Sequence, residues 1–307
     1  MSNTSFSDIL KLTLRLLLGV FFVGTAVLKL MSIDSFEIYI YSFGLFSYTW
    51  TTFFSRLLIF IELLIGISLI LKICFKRIWW LTLLMMAGFT LFLVYAAIFR
   101  NDSNCHCFGS LVELNPTQSI FKNIITIALL LFIRNEQSHD YKPVLKKWLV
   151  AITIVASFVV SFVLLPMDII YNKINSDKEN VNTVAFYESL SDSTFFDLQH
   201  GRYLINYALA GCKFCRLGAE KTTMMMDRLD ISHDKLKFIV GGSAEATAKF
   251  VEVTHTEGYE HRSIPVPQLM AITFGKFPLF VLIEDGQIIK AGDFRMIDDE
   301  MIEALKK

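Results

Sequence analysis

The chain has 307 residues, of which 54% are apolar, 14% aromatic and 19% charged, and its mean hydropathy is +0.51. Soluble domains run about 45 to 50% apolar and about 25% charged, so this composition excludes a disordered chain and argues against a single soluble globule. Lys plus Arg and Asp plus Glu each number 29, which leaves no net basic field to recruit nucleic acid. Up to Pro166 there are 13 basic and 8 acidic residues, and beyond it 16 and 21, so the neutral total joins a half of charge +5 to a half of −5.

A helix needs about 20 mostly apolar residues to cross a hydrocarbon core of about 30 Å. Five runs are expected to do so, near Ile9 to Met31, Thr51 to Leu71, Ile78 to Phe99, Ser119 to Ile133 and Trp148 to Leu165. The fourth is the shortest, and a snorkelling Lys122 extends it. Lys11 and Arg15 precede the first apolar stretch as in a secretion signal, but the stretch is too long and no small-x-small cleavage site follows, so it is read as a permanent span. The connection with Lys72, Lys76 and Arg77 is basic, as is the one with Arg134, Lys142, Lys146 and Lys147. Together with Lys11 and Arg15 they place the N-terminus in the cytoplasm and everything after Pro166 outside. The expectation is a multi-pass protein of the inner (cytoplasmic) membrane with a periplasmic C-terminal domain.

Ser32 to Trp50 is rich in aromatic residues, which suits a helix or re-entrant turn in the interface and reads equally as an aromatic belt or a functional lid. Arg56 and Glu62 fall inside predicted spans, and Lys29 lies near the outer end of the first. A charge in lipid costs about 2.5 to 3.5 kcal/mol, so such residues should face the bundle interior. Arg56 and Glu62 are six residues apart, roughly 240° around a helix, so Lys29 with Glu62 is the better pair. That pair either fixes helix packing or serves proton or quinone chemistry, and Lys29, Glu62 and Arg56 are the residues for such a site.

After Pro166 the pattern changes. Asp168 to Asp197 reads as a polar linker with a short apolar interruption. Tyr203 to Ala210 reads as a buried strand, Cys212 to Asp230 as a helix, Leu236 to Val240 as a second strand and Ser243 to Thr254 as a second helix capped by Ser243. Pro278 to Glu284 and Gln287 to Ala291 flank Asp285-Gly286, a strong hairpin signal, and Ile297 to Lys306 closes as a helix.

Four of the five cysteines form two tight pairs, Cys105/Cys107 and Cys212/Cys215, both outside by the charge argument; Cys74 is left over on the cytoplasmic side as a structural or bystander thiol. Cys212-Lys213-Phe214-Cys215 sits at a strand-to-helix junction, where unpaired N–H groups and the helix dipole favour a thiolate. Cys212 is thus the attacking thiol and Cys215, one turn on, the resolving one. A zinc half-site would need a second ligand pair that this half does not show, and a static disulfide is the other plain alternative.

Cys105-His106-Cys107 lies just outside the third predicted span. A disulfide needs its Cα atoms about 4.4 to 6.8 Å apart, so two cysteines separated by one residue close only with a tight backbone, and such pairs are the more oxidising ones. His106 would stabilise a thiolate or carry a proton, or is incidental; a metal site there lacks a fourth ligand, and no metal is expected.

The stretch from Tyr203 through Cys215, with Phe277-Pro278 beyond, resembles the thioredoxin superfamily over about the last third of the chain. By that resemblance Pro278 is the cis-proline that faces the cysteine pair. The chain departs from the pattern at Gly211, where an aromatic is usual, at Lys213-Phe214, and at Asn206, which stands where thioredoxin has a buried acid. The first half resembles the MauE/DoxX group of redox-associated membrane proteins over about residues 9 to 133. Arg15, Gly19, Gly24 and Lys29 in span one, Glu62 and Gly66 in span two, and Cys105-His106-Cys107-Phe108-Gly109 carry that resemblance. It implies a four-helix bundle serving thiol–disulfide exchange in the extracytoplasmic space, with a fifth span tethering the second domain.

The expected architecture is therefore an α-helical membrane bundle followed by an α/β thioredoxin-like domain. Its parts are a four-helix domain over 1–135, a cytoplasmic connection and fifth span over 136–166, a linker over 167–200 and a thioredoxin-like domain over 201–307. The expected function is a membrane thiol:disulfide oxidoreductase. Cys212/Cys215 would pass electrons to Cys105/Cys107, with a quinone, not a covalently bound cofactor, as acceptor and extracytoplasmic thiol/disulfide proteins as clients. The rivals are an assembly factor that holds client cysteines without turnover, a reductase running the other way, and a transporter with a thioredoxin-like appendage.

Overall fold

The computed structural model describes residues 6–100, 114–136, 141–175, 181–190 and 198–306. They divide into two compact units, Met1–Ile40 with Thr51–Pro166, and Tyr41–Trp50 with Met167–Lys307.

The first unit is helical: α1 (Phe6–Met31), α2 (Ile33–Tyr41), α3 (Tyr48–Leu71), α4 (Phe75–Phe99), α5 (Pro116–Phe132) and α6 (Pro143–Phe158), the last continued by a π-helical turn, Val159–Val163. Five described segments are long and apolar enough to cross a membrane: Phe6–Met31, Tyr48–Leu71, Phe75–Phe99, Pro116–Asn135 and Pro143–Val163. They coincide with the five runs expected from the sequence, and the chain is a multi-pass membrane protein. Leu17, Val20, Leu84, Leu91, Ile98, Phe121 and Val155 stay exposed on these helices, an apolar surface of the kind that lipid covers.

Inside, Leu18, Phe22, Ile65, Leu69, Trp79, Met86 and Leu130 share a core, and the Trp79 indole N–H donates to the Leu130 carbonyl at 2.7 Å. α1 and α3 meet at two glycines: a Cβ on Gly19 would stand 2.9 Å from the Gly66 carbonyl oxygen, and one on Gly66 2.9 Å from that of Gly19. With no water to drive helices together in lipid, such backbone contact supplies the packing. α5 starts with Pro116 after an Asn115–Gln118 capping box, which satisfies its first N–H groups.

Arg15 is buried rather than lying free at the membrane edge. Its guanidinium donates to Glu136 at 3.1 Å and to the Leu69 and Ile70 carbonyls, and Lys72 joins Glu136 at 2.8 Å. The charge in α1 is therefore a helix-bundle contact as well as a topological signal.

The second unit is thioredoxin-like. Its strands are β1 (Arg202–Leu209), β2 (Leu236–Gly241), β3 (Glu260–Ile264), β4 (Leu279–Glu284) and β5 (Gln287–Gly292), in the order β3-β2-β1-β4-β5. β1 and β2 are parallel, as are β2 and β3, whereas β4 runs antiparallel to both β1 and β5. α9 (Lys213–Arg228), α10 (Ala244–Thr254), α11 (Val266–Thr273) and α12 (Asp299–Glu303) complete it. Central β1 buries side chains on both faces, which divides the core into a cluster around Leu204, Ala208 and Cys215 and another around Ile205, Tyr207 and Ile239. The hairpin turn is Asp285-Gly286, both with positive φ (47° and 78°), as the two-residue primed turn requires.

The fold adds to the sequence reading in three places. Edge strand β3, Glu-His-Arg-Ser-Ile, buries only Ile264, so it carries no strand signal. The stretch read as a linker contains α7 (Asp168–Asn175) and α8 (Thr183–Leu190), and Phe186 of α8 is fully buried in the second cluster. The closing helix is short because 3-10 turns, Phe294–Met296 and Ala304–Lys306, flank it.

The aromatic segment Tyr41–Trp50 belongs to this unit and not to an aromatic belt alone. Tyr41 and Tyr48 join the Cys215 cluster. The Tyr41 hydroxyl and the Tyr48 backbone N–H both donate to the Asp299 carboxylate, and the Lys221 ammonium lies 3.8 Å from the Tyr48 ring centre.

Candidate functional site

β1 ends at Leu209, and the turn through Ala210 and Gly211 is held by Arg216, whose guanidinium donates to the Ala210 carbonyl at 3.1 Å, and by the Cys212 N–H on the Leu209 carbonyl at 3.0 Å. That turn makes Cys212 the N-cap of α9, with its sulfur accepting the Cys215 N–H at 3.4 Å. α9 lies close on the sheet because residue 218 is glycine: a Cβ there would stand 3.0 Å from the Phe280 ring.

The two thiols differ in surroundings. Cys212 is half-buried, whereas Cys215 is fully buried and accepts the Leu209 N–H at 3.4 Å. Burial pushes the Cys215 thiol far above the ordinary range, and the Leu209 N–H offsets only part of that rise. Between them Lys213 and Phe214 are exposed, and the Phe214 ring stacks on Phe294 at 6.2 Å, a contact that the spacing of the motif does not encode. The Phe277–Pro278 peptide is cis, and Phe277 packs on the same cluster as Cys212.

Asn206 sits on β1 with its alternate neighbours Leu204 and Ala208 in the Cys215 cluster. It is fully buried, and neither side-chain polar atom has a hydrogen-bond partner among the described residues. An amide cannot accept a thiol proton as a carboxylate would, so the base of a thioredoxin-type site is absent at this position.

A raised Cys215 gives a direct expectation. With Cys212 changed to Ser, alkylation of Cys215 should stay slow through pH values around 8.5, where an ordinary thiol ionises, and accelerate only in more alkaline buffer. A rate that follows an ordinary thiol would contradict this. The sign for stability is the same: the folded state holds the proton more tightly than the unfolded chain does, so this contribution is complete below the unfolded value and lost as pH rises through the folded one.

In the membrane unit, Lys29 is bonded to Glu62, with side chains 4% and 5% exposed, as the helix arithmetic predicts. Arg56 is elsewhere. Its guanidinium pairs with Glu37 and donates at 3.0 Å to the carbonyls of Thr52, Leu165 and Pro166. The structure therefore brings Lys29 and Glu62 together and gives Arg56 a separate, hydrogen-bonded role. Sequence reasoning missed Glu37, because it lies outside the predicted spans, where a carboxylate needs no special partner. Cys74 stands half-buried in the left-handed conformation (φ 49°) at the start of α4. No group of three or more His, Cys, Asp or Glu that could hold a metal gathers among the described residues. Cys105, His106 and Cys107 lie outside the described residues.

Residues 7–134 match the family described as methylamine utilisation protein MauE. Protein TlpB of Flavobacterium psychrophilum is 39% identical over 137 residues, 41% of this chain and 37% of TlpB, so the chain spans little more than a third of that relative's length. No solved structure matches. Residues 7–134, the stretch from α1 to α5, are therefore similar to the MauE family, and a thioredoxin-like domain follows them in the same chain.

Proposed function

We propose that the protein is a membrane-bound thiol:disulfide oxidoreductase in which the Cys212/Cys215 pair exchanges electrons with Cys105/Cys107. The observation that carries this is the asymmetry of the C-x-x-C pair at the start of α9: Cys212 is only half-buried and Cys215 fully buried, the arrangement of an attacking and a resolving thiol. The match to the MauE family over 7–134 supports the membrane half. In the direction proposed, a thiolate of an extracytoplasmic client attacks Cys212 of the Cys212–Cys215 disulfide, and Cys215 leaves as a thiol. The client's second thiol then displaces Cys212, so the client gains a disulfide and the pair becomes a dithiol. The dithiol reduces a Cys105–Cys107 disulfide by the same two exchanges.

The membrane pair returns its two electrons and two protons to a quinone in the bilayer, which becomes a quinol. This direction follows from the sequence topology, which places only Cys74 on the cytoplasmic side, too few thiols to import electron pairs. With Asn206 in place of an acid, Cys215 exchanges its proton with water. Tethering both pairs in one chain raises their effective concentration, to about millimolar for a short flexible linker.

The test is reoxidation of the fully reduced chain in liposomes with and without a quinone. Quinone-dependent return of the disulfides is expected, and a redox-silent chain overturns the acceptor. The second reading is an assembly factor that holds client cysteines without turnover. Client binding that survives changing Cys105 and Cys107 to Ser selects it.

A further inference from the structure

A small cavity in the membrane unit is lined by polar and charged groups from three helices: Thr25 and Lys29 of α1, Glu62 of α3, and Lys122 and Asn123 of α5, with Phe89 of α4 also in its wall. Its volume is about 30 Å³. A water needs roughly 10 to 15 Å³ measured in this way, so the space suits about two or three waters.

The two oxygens of Glu62 are used differently. Oε1 takes the Lys29 ammonium, whereas Oε2 is buried and has no hydrogen-bond partner among the described residues. Lys29 is further held between two rings, 5.6 Å from the centres of both Phe36 and Phe89. A buried carboxylate oxygen without a hydrogen-bond donor is unfavourable, so Oε2 calls for a donor that the cavity can hold. One N–H of the Asn123 amide goes to the Thr90 hydroxyl at 3.2 Å and the Thr25 hydroxyl donates to the Phe22 carbonyl at 3.0 Å, and neither residue bonds Glu62. The cavity beside Oε2 has room for a water that can donate to it.

We propose that this cavity is a hydrated proton-exchange site, in which Glu62 gains and loses the proton and the cavity water relays it. Among the described residues, the ionisable groups that line the space with Glu62 are Lys29 and Lys122, while α4 presents Phe89 and Met86. The link to redox chemistry rests on the function proposed above. Oxidation of two thiols to a disulfide releases two protons with two electrons, and reduction of a quinone to a quinol consumes two of each. A carboxylate inside the bundle, salt-bridged on one oxygen and hydrated on the other, can carry such protons through a region where lipid cannot.

Infrared difference spectra of the full chain in lipid nanodiscs, recorded between acidic and alkaline buffer, test the site without relying on the relay. A protonated-carboxyl band is expected that follows pH, shifts in heavy water, disappears in Glu62→Gln and reappears at a shifted position in Glu62→Asp. If Glu62→Gln does not insert, the band of the wild-type chain and its displacement in Glu62→Asp still decide. A spectrum with no titrating band sensitive to Glu62 overturns the proposal. In quinone liposomes Glu62→Gln should slow reoxidation about 100-fold, the scale of a lost acid–base group, with Glu62→Asp restoring it. Reoxidation of Glu62→Gln at the wild-type rate overturns the redox link. A titrating band in a chain that quinone cannot reoxidise leaves the site standing and removes the quinone, whereas quinone-dependent reoxidation without the band removes the site alone.

Discussion

Changing Cys215 to Ala is expected to convert a transient exchange into a stable disulfide from Cys212 to its partner. In the proposed exchange the mixed disulfide at Cys212 is short-lived because Cys215 lies one helical turn away, with its backbone N–H on the Cys212 sulfur at 3.4 Å. Removing that thiol leaves no internal group to resolve the intermediate, so turnover should fall to background and the adduct should survive non-reducing electrophoresis. The mass of the trapped peptide then identifies the partner. A link to Cys105 or Cys107 of the same chain supports the relay, and a link only to other proteins moves the membrane pair aside. Cys212→Ala should trap nothing, because the remaining Cys215 is fully buried and its thiol is held protonated by that burial.

The second large effect is expected at Arg56. Its guanidinium serves four acceptors, the Glu37 carboxylate and the carbonyls of Thr52, Leu165 and Pro166. Both side chains of the ion pair are fully buried. Arg56→Ala deletes the cation but leaves Glu37 charged in the interior, a situation that costs about 3 to 5 kcal/mol. Thermal unfolding of the full chain in detergent should show this as a large loss of stability. Adding Glu37→Gln should recover much of it by removing the carboxylate charge that Arg56 offsets. Arg56→Lys should recover less than the arginine it replaces, since an ammonium cannot reproduce the planar fork that meets several acceptors. If Arg56→Ala and the double variant unfold alike, the pair is not what stabilises this part of the bundle.

These two sites differ in how far the sequence disclosed them. Cys212 and Cys215 were legible because a C-x-x-C motif at a strand-to-helix junction combines spacing with a local fold, and the strand, turn and helix follow from short-range rules. Lys29 and Glu62 were legible because charge in a hydrophobic run must find a partner, and few were on offer. Glu37 was not, since a carboxylate in a mixed aromatic segment is ordinary until tertiary structure buries it. Strand β3 escaped for a related reason: an edge strand needs only backbone pairing with β2, so Glu260, His261, Arg262 and Ser263 obey no buried alternation. α8 escaped because its contribution is one side chain, Phe186, that fills a cluster assembled from distant strands. The polar cavity combines residues from α1, α3 and α5, and no local pattern assembles three helices.

The participation of Tyr41–Trp50 in the second unit also sets an order of assembly. Tyr41 and Tyr48 are made long before the carboxylate that binds both, Asp299, which follows them by 258 and 251 residues. Domains ordinarily fold as they emerge from the ribosome, first part first. Here the sheet can form only after residue 292 has been made, and its core is finished by a segment waiting since the second helix. A ribosome that stops short of Asp299 therefore leaves two tyrosines without their shared acceptor, and packing of their segment into this unit is completed only after Asp299 has been made.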